Sequence, residues 1–416
     1  MNTYLIAILC LYIAKEAFEY LVQYLNLRHM QRAGADVPPE FEGAMDKGLL
    51  ARTKEYEAEK TRFGFVSSVS GNIVAVVFIF GGLLDIYTSW VASLGLSFIV
   101  SGWLFFLLLF YMGELLGIPF SLYHTFRIEN KYGFNTMTGG LWISDFLKSL
   151  VISSILLSLL AFAGLWLIKW SPRCWWFLVW GLLFLFSIIL MYISPYVIEP
   201  LFNKFTPVED EVLREQIAQM TEKAGIHARR ILSIDASKRS RHSNAYFTGI
   251  GKTKRIVLYD TLLKSMSHDE ILSVLAHEIG HWKKKHMLKM LAAFEAVSFA
   301  GLWVSHYLVQ SDILTLVFGI GAKDSIFAKF VLLGFIAGIV SLPLKIVMNY
   351  FSRRNEKEAD SVSARLAGNR QAMASALVKL SKENLSNLHP HPLYVRVYYS
   401  HPPIVQRIRD IRSQPD

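Results

Sequence analysis

Two histidines four residues apart with a glutamate between them, His277-Glu278-Ile279-Gly280-His281, form an H-E-x-x-H motif. On a helix, positions i and i+4 lie on nearly one face. Two imidazoles so placed can bind one zinc ion, and the carboxylate of Glu278 can poise a water beside the metal. The motif sits directly before a stretch apolar enough to cross a membrane. The chemistry to expect is zinc-dependent hydrolysis at a membrane boundary. A chance match would be a surface helix with two unrelated histidines, and the surrounding residues speak against that. Ser267 and Glu270 fit a capping box, and Ile271, Val274, Leu275 and Trp282 supply an apolar face. Lys283-Lys284-Lys285 suit both a helix C-terminus and a membrane interface.

Two ligands do not complete a catalytic site, which usually takes three protein ligands and keeps a position for water. The further histidine of a metzincin would fall at 287, where the chain has Met287. Glu295 lies inside the next apolar stretch, away from the motif's side of the membrane. The remaining acids on the motif's side include Glu356, Glu358, Asp360 and Glu383. Glu356 and Asp360 are four apart on a helix expected to continue the last apolar stretch, so they can share a face. Glu356 could then ligate zinc while Asp360 orients a ligand imidazole. Glu358 points roughly 160° around that helix from Asp360 and is expected to be solvated. The competing reading is an ordinary charged juxtamembrane helix with Arg353, Arg354 and Lys357.

The elements that must position these groups are mostly membrane helices. The chain has 416 residues, of which 53% are hydrophobic and only 18% charged, and its mean hydropathy is +0.35. A soluble chain carries roughly 25% charged residues. Apolar stretches long enough to span fall near 3–24, 65–87, 97–122, 147–168, 175–196, 287–310 and 328–349. The first lacks the basic start and cleavage site of a signal peptide and carries Lys15, Glu16 and Glu19. Lysine and arginine collect in alternate loops, which reads as topology and excludes nucleic acid as the reason for the net charge of +10. The expected orientation has the N-terminus outside and the C-terminus cytosolic. Cys10 and Cys174 both lie in or beside apolar runs, so neither a disulfide framework nor a cysteine zinc site is expected. The expected organisation is membrane helices one to five over 1–200, a cytosolic block with the H-E-x-x-H helix over 201–286, helices six and seven over 287–350, and a second cytosolic block over 351–416. Strand-like runs occur at Ile231–Asp235, Ala245–Phe247 and Arg255–Tyr259, the last two separated by Gly249 and Gly251.

Several linked segments resemble the integral-membrane CAAX prenyl endopeptidases, zinc metalloproteases of the gluzincin type. They are the H-E-x-x-H motif, Ser352-Arg353-Arg354-Asn355-Glu356-Lys357-Glu358-Ala359-Asp360, and Tyr399-Ser400-His401-Pro402-Pro403 with Arg407. The resemblance extends to His242-Ser243-Asn244-Ala245-Tyr246-Phe247, to Phe126-Arg127-Ile128-Glu129 with Gly133-Phe134-Asn135, and to Pro200-Leu201-Phe202-Asn203-Lys204-Phe205. It implies a mainly α-helical multi-pass protein, about seven membrane helices around a water-filled chamber, with an α+β protease region at the cytosolic end. It implies His277, His281 and Glu356 as ligands of one Zn²⁺ and Glu278 as catalytic base. It implies that the Asn244-Ala245 strand holds substrate backbone, and that His401 and Arg407 stand near the reacting carbonyl. His389 and His391 are expected to be loop residues. The implied substrate is a peptide or lipidated peptide presented beside membrane lipid.

Intramembrane charges usually face water or a bundle interior, so Glu16, Glu114 and Glu295 are expected to face an aqueous interior. The short fourth loop suggests a compact member, with a bacterial inner membrane favoured and the endoplasmic reticulum if the host is eukaryotic. Two alternatives share these features: a membrane quality-control protease of broad specificity, and a transporter with structural zinc. A structural zinc does not need Glu278 between the histidines.

Overall fold

The computed structural model describes residues 2–33, 36–226, 230–248, 254–321 and 326–413. Among the described residues, long runs of Leu, Ile, Val and Phe give seven long apolar helices: Thr3–Ala33, Lys47–Phe80, Phe98–Tyr123, Gly139–Trp170, Trp175–Ile193, His286–Gln310 and Ile326–Ala367. Six of them are long and apolar enough to cross a membrane; the first has the length but carries Lys15, Glu16 and Glu19. Each packs on the next and the last packs back on the first, so the seven close a ring. The second meets the third through the short helix Leu83–Ser93 and the π-helical turn His124–Glu129. No more than 22% of any apolar window is buried, so inner as well as outer faces stay open and the ring encloses a chamber.

The helices match the expected stretches, with one clear shift. The second runs Lys47–Phe80 rather than 65–87, and it ends where Gly82 takes a left-handed φ of 81°. That conformation favours glycine, and the chain leaves it as a separate helix, Leu83–Ser93. The last helix continues far beyond its apolar part. Its 42 residues extend about 63 Å at the usual rise, which carries Glu356 and Asp360 out of the ring on a rigid support.

A small sheet lies outside the ring. Its strands are β1 (Phe205–Pro207), β2 (Arg230–Ile234), β3 (Ala245–Thr248) and β4 (Arg255–Tyr259), in the order β1-β2-β4-β3. β2 and β4 are parallel; β1 and β3 flank them antiparallel. Three strands fall on the expected runs. β1 has no alternating pattern to mark it in the sequence, being three residues long and ending in a proline. Gly249 and Gly251 lie outside the described residues.

The motif helix His268–Lys283 begins with the expected capping box, Ser267 and Glu270 each bonding the other's backbone N–H. Ile271, Leu275, Ala276 and Ile279 are buried with Ile256 and Leu258 of β4 and with Leu213 and Ile217 of the helix Glu211–Lys223. Burying aliphatic side chains of this size contributes about 1.5–3 kcal/mol each, and it fixes which face remains for the histidines.

Two of the intramembrane acids sit in defined surroundings. Glu16 pairs with Lys15 at 2.7 Å and accepts from Asn72 of the second helix at 2.8 Å. Glu295 is buried and lines a cavity of about 620 Å³ walled mainly by Trp180, Phe184 and Phe299. Glu114 is half-buried.

Candidate metal centre

The motif helix meets the long helix Ile326–Ala367 at Gly280. A Cβ at this position would lie 2.9 Å from Ala359 Cα, 3.0 Å from Ala359 O and 3.2 Å from Val362 Cβ. Only glycine permits the helices to approach this closely. The Ser363 hydroxyl donates to the carbonyl of Ser273 at 2.8 Å in the same interface and fixes the register. The approach brings Glu356 and Asp360 up to the two imidazoles.

His277 Nε2 and His281 Nε2 lie 3.1 Å apart. Glu356 Oε2 is 3.3 Å from His277 Nε2, and Oε1 is 3.1 Å from His281 Nε2. Donors about 2.0–2.1 Å from one tetrahedral ion stand roughly 3.3 Å from one another, so the triangle has the right size. Its chemistry also fits a cation. Two ring nitrogens and a carboxylate converge on one point, and among the described residues Glu356 Oε2 is buried without a hydrogen bond, with Arg407 Nη1 no nearer than 3.6 Å. A buried acceptor left this way is costly unless a cation completes it.

The groups around the triangle hold it in place. His277 Nδ1 donates to Asp360 Oδ1 at 2.8 Å, which leaves Nε2 free to face the cluster. Asp360 also accepts from Arg407 Nη2 at 2.6 Å and Nε at 3.0 Å. Burial opposes a charged His277, but the neighbouring carboxylates of Asp360 and Glu356 outweigh it and push its pKa up to about 9 in the absence of metal. Glu278 is half-buried and, among the described residues, makes no hydrogen bond or ion pair. Burial pushes its carboxyl above the usual range, which makes the carboxylate a better proton acceptor.

The C-terminal segment closes the site from another side. Arg353 donates to the carbonyls of Val395 and Tyr399, at 3.1 and 2.6 Å, and Asn349 donates to Val397 O at 2.8 Å. These bonds dock the segment on the long helix. His401 follows, with Nε2 3.3 Å from Glu356 Oε1 and Nδ1 2.9 Å from the Ser400 hydroxyl. Pro402-Pro403 then starts the helix Ile404–Ser413, whose Ile408 and Ile411 pack on Met373 and Leu377. Arg407 sits one turn in; it is buried and spends two of its nitrogens on Asp360, with Nη1 3.6 Å from Glu356 Oε2.

Asn244 precedes and Ala245 begins β3, one of the two edge strands of the sheet, which among the described residues pairs only with β4. Asn244 O accepts from Tyr259 N, and Asn244 Oδ1 accepts from Ala245 N. The other edge of β3 carries no strand among the described residues. His389 and His391 stand apart from the cluster: His389 bonds Asp36 O, and His391 caps the helix Pro392–Tyr398.

Glu358 is partly solvated, as expected, but it also has a partner: its Oε2 lies 3.3 Å from His286 Nε2, and His286 Nδ1 lies 3.1 Å from His281 Nδ1. His286 was missed altogether. It falls five residues after His281, a spacing that no helix face explains.

A ring of membrane helices carrying a largely buried His-His-carboxylate cluster, with a half-buried glutamate beside it, defines a membrane-embedded metallopeptidase. Comparison with known proteins agrees. Residues 26–204 match the family described as CAAX prenyl protease N-terminal, five membrane helices, and residues 207–414 match peptidase family M48. The chain is similar to CAAX prenyl protease 1 of Saccharomyces cerevisiae, at 33% identity over 95% of this chain and 92% of that one. It is similar to the homologues of Oryza sativa, at 34% over 97% and 96%, and of Homo sapiens, at 30% over 93% and 90%. The crystal structure of S. mikatae Ste24p superposes with a TM-score of 0.92 at 31% identity, covering 99% of both chains. The chain belongs to the M48 peptidases of the CAAX prenyl protease type: it is a multi-pass membrane protein and a peptidase.

Proposed function

We propose that this chain is a zinc endopeptidase that removes C-terminal residues following a prenylated cysteine, working at the cytosolic end of the ring. The observation that carries the reading is the convergence of His277 Nε2, His281 Nε2 and a Glu356 carboxylate oxygen within 4.8 Å of one another. These three would hold the ion, and Asp360 orients His277. A zinc ion there supplies Lewis acidity, acidifying a water and polarising the scissile carbonyl.

The other steps belong to the chain. An extended peptide adds to the open edge of β3 beside Asn244 and Ala245, where backbone hydrogen bonds hold its register. Glu278 accepts the proton of the attacking water and passes it to the departing amine. His401, its Nδ1 engaged by Ser400, presents Nε2 as a donor toward the developing oxyanion. Arg407 acts mainly through Asp360, whose negative charge it balances within the protein. The hollow ring provides room for the lipid tail. The basic loops support a cytosolic site with the N-terminus outside.

Glu278→Gln tests this. It should lower cleavage of a farnesylated peptide roughly 10²–10⁴-fold while bound zinc stays near one per chain. Retained cleavage overturns the proposed base; loss of zinc in the variant removes the reason for assigning that role.

A further inference from the structure

The motif helix does not run on into the membrane. Lys285 takes a left-handed conformation, φ 55° and ψ 35°, between the C-cap Lys284 and the next helix, His286–Gln310. A non-glycine residue there costs about 1–2 kcal/mol, and such strain persists where surrounding structure fixes it. On an unbroken helix, residue 286 would sit roughly 140° around the axis from residue 281. The break returns it beneath His281 instead, with ring centroids 5.1 Å apart and edge-on.

For a neutral His286 the hydrogen bonds admit one arrangement of protons. Glu358, ionised, can only accept, so His286 must carry its proton on Nε2, 3.3 Å from Glu358 Oε2. His286 Nδ1 is therefore an acceptor, and its neighbour at 3.1 Å, His281 Nδ1, must donate. His281 is left with its lone pair on Nε2, the nitrogen facing His277 Nε2 and Glu356. A neutral His277, its remaining proton held on Nδ1 by Asp360, reaches the same state. Each candidate ligand imidazole thus has its own outer partner that sets tautomer and ring orientation, and both outer carboxylates come from the long helix Ile326–Ala367.

We propose that His286 and Glu358 are positioning residues for the metal: a two-member hydrogen-bond relay that holds His281 in its ligating tautomer. This rests on the zinc reading above. The relay ties the second ligand to the first residue of one membrane helix and to the extension of another, so packing of the ring bears on metal affinity.

The test is zinc affinity of the full-length solubilised protein, measured by chelator competition. His286→Ala and Glu358→Leu should each raise the zinc Kd about ten- to a hundredfold, with thermal unfolding in saturating zinc unchanged. The cobalt-loaded His286→Ala protein should show shifted visible bands. Glu358→Gln, which keeps an acceptor for His286, should stay within about threefold of the parent. Arg354→Ala should leave affinity unchanged, since Arg354 meets Glu358 only at 3.8 Å on the surface. An affinity within threefold of the parent in both His286→Ala and Glu358→Leu overturns the relay. So does a loss in Glu358→Gln as large as in Glu358→Leu. Glu356→Ala measured alongside separates the two readings: if it binds zinc as tightly as the parent, the ligand assignment fails, whatever the relay variants do.

Discussion

Adding one methyl group at Gly280 would probe the geometry of the centre without touching a ligand. The new Cβ would meet Ala359 Cα at 2.9 Å and Ala359 O at 3.0 Å, whereas non-bonded carbons settle near 3.5–4.0 Å. Both atoms are backbone, so no side chain can rotate away. The helices must separate by about 0.6–1 Å. Overpacking of this kind costs about 1–3 kcal/mol. Alanine recovers about 1 kcal/mol of that through its helix propensity. Net destabilisation of Gly280→Ala should therefore be small, about 0–2 kcal/mol. The centre is less forgiving. Its donor spacings of 3.1–3.3 Å leave little slack, and a displacement near 1 Å at a reacting site can cost about 10²-fold in rate. Expected together are a small shift in thermal midpoint by scanning fluorimetry, a zinc Kd raised at least tenfold, and peptidase turnover reduced about a hundredfold. A Gly280→Ala protein with parental zinc affinity and turnover would refute the claim that this helix contact sets the ligand geometry.

Two pH dependences follow from buried groups outside the ring. In the metal-free protein His277 is held up to about 9, so below that pH it carries a proton that a metal must displace. Apparent zinc affinity should fall about tenfold per pH unit as pH drops below 9, and chelator competition between pH 6.5 and 9 checks it; a flat profile would count against the assignment of His277 as a ligand. Glu270 is buried; burial resists its ionisation, but Lys379 at 2.7 Å, the Ser375 hydroxyl and Ser267 N–H outweigh this and hold its pKa below the usual carboxylate range. A depressed native pKa gives stability that is present above the unfolded value, near 4.3, and lost as pH falls through the native one. Glu270→Gln should cost about 1–3 kcal/mol at pH 7, and the gap in unfolding midpoints should close as the pH is lowered below about 4.

What could be read in advance follows from how local each signal is. The pair His277 and His281, the capping box at Ser267 and Glu270, and β4 at Arg255–Tyr259 depend on neighbours within a few residues, and the structure has them in place. Glu356 is 75 positions beyond His281; helix spacing could offer Glu356 and Asp360 as one face, but only the contact at Gly280 and Ala359 shows why that face meets the histidines. The second helix starts at Lys47 because residues 47–64 form a polar, amphipathic extension that apolar length alone does not detect. β1 is too short for an alternating pattern. His286 and Glu358 were illegible because their meeting depends on one left-handed residue, Lys285, and no sequence rule asks a lysine to adopt it.

The candidate ligands are divided between two kinds of support, and that division has a consequence. His277 and His281 stand on a helix fastened to the sheet by Ile271, Leu275 and Ile279. Glu356, Asp360 and Glu358 stand on the extension of a ring helix. Neither support holds a complete set, so the metal can be bound only when the sheet-bearing part and the membrane ring are docked. The contacts across that docking seam are buried: Glu356 of the ring helix lies beside the two imidazoles of the motif helix, and His277 Nδ1 meets Asp360. Separating the parts would break these contacts together.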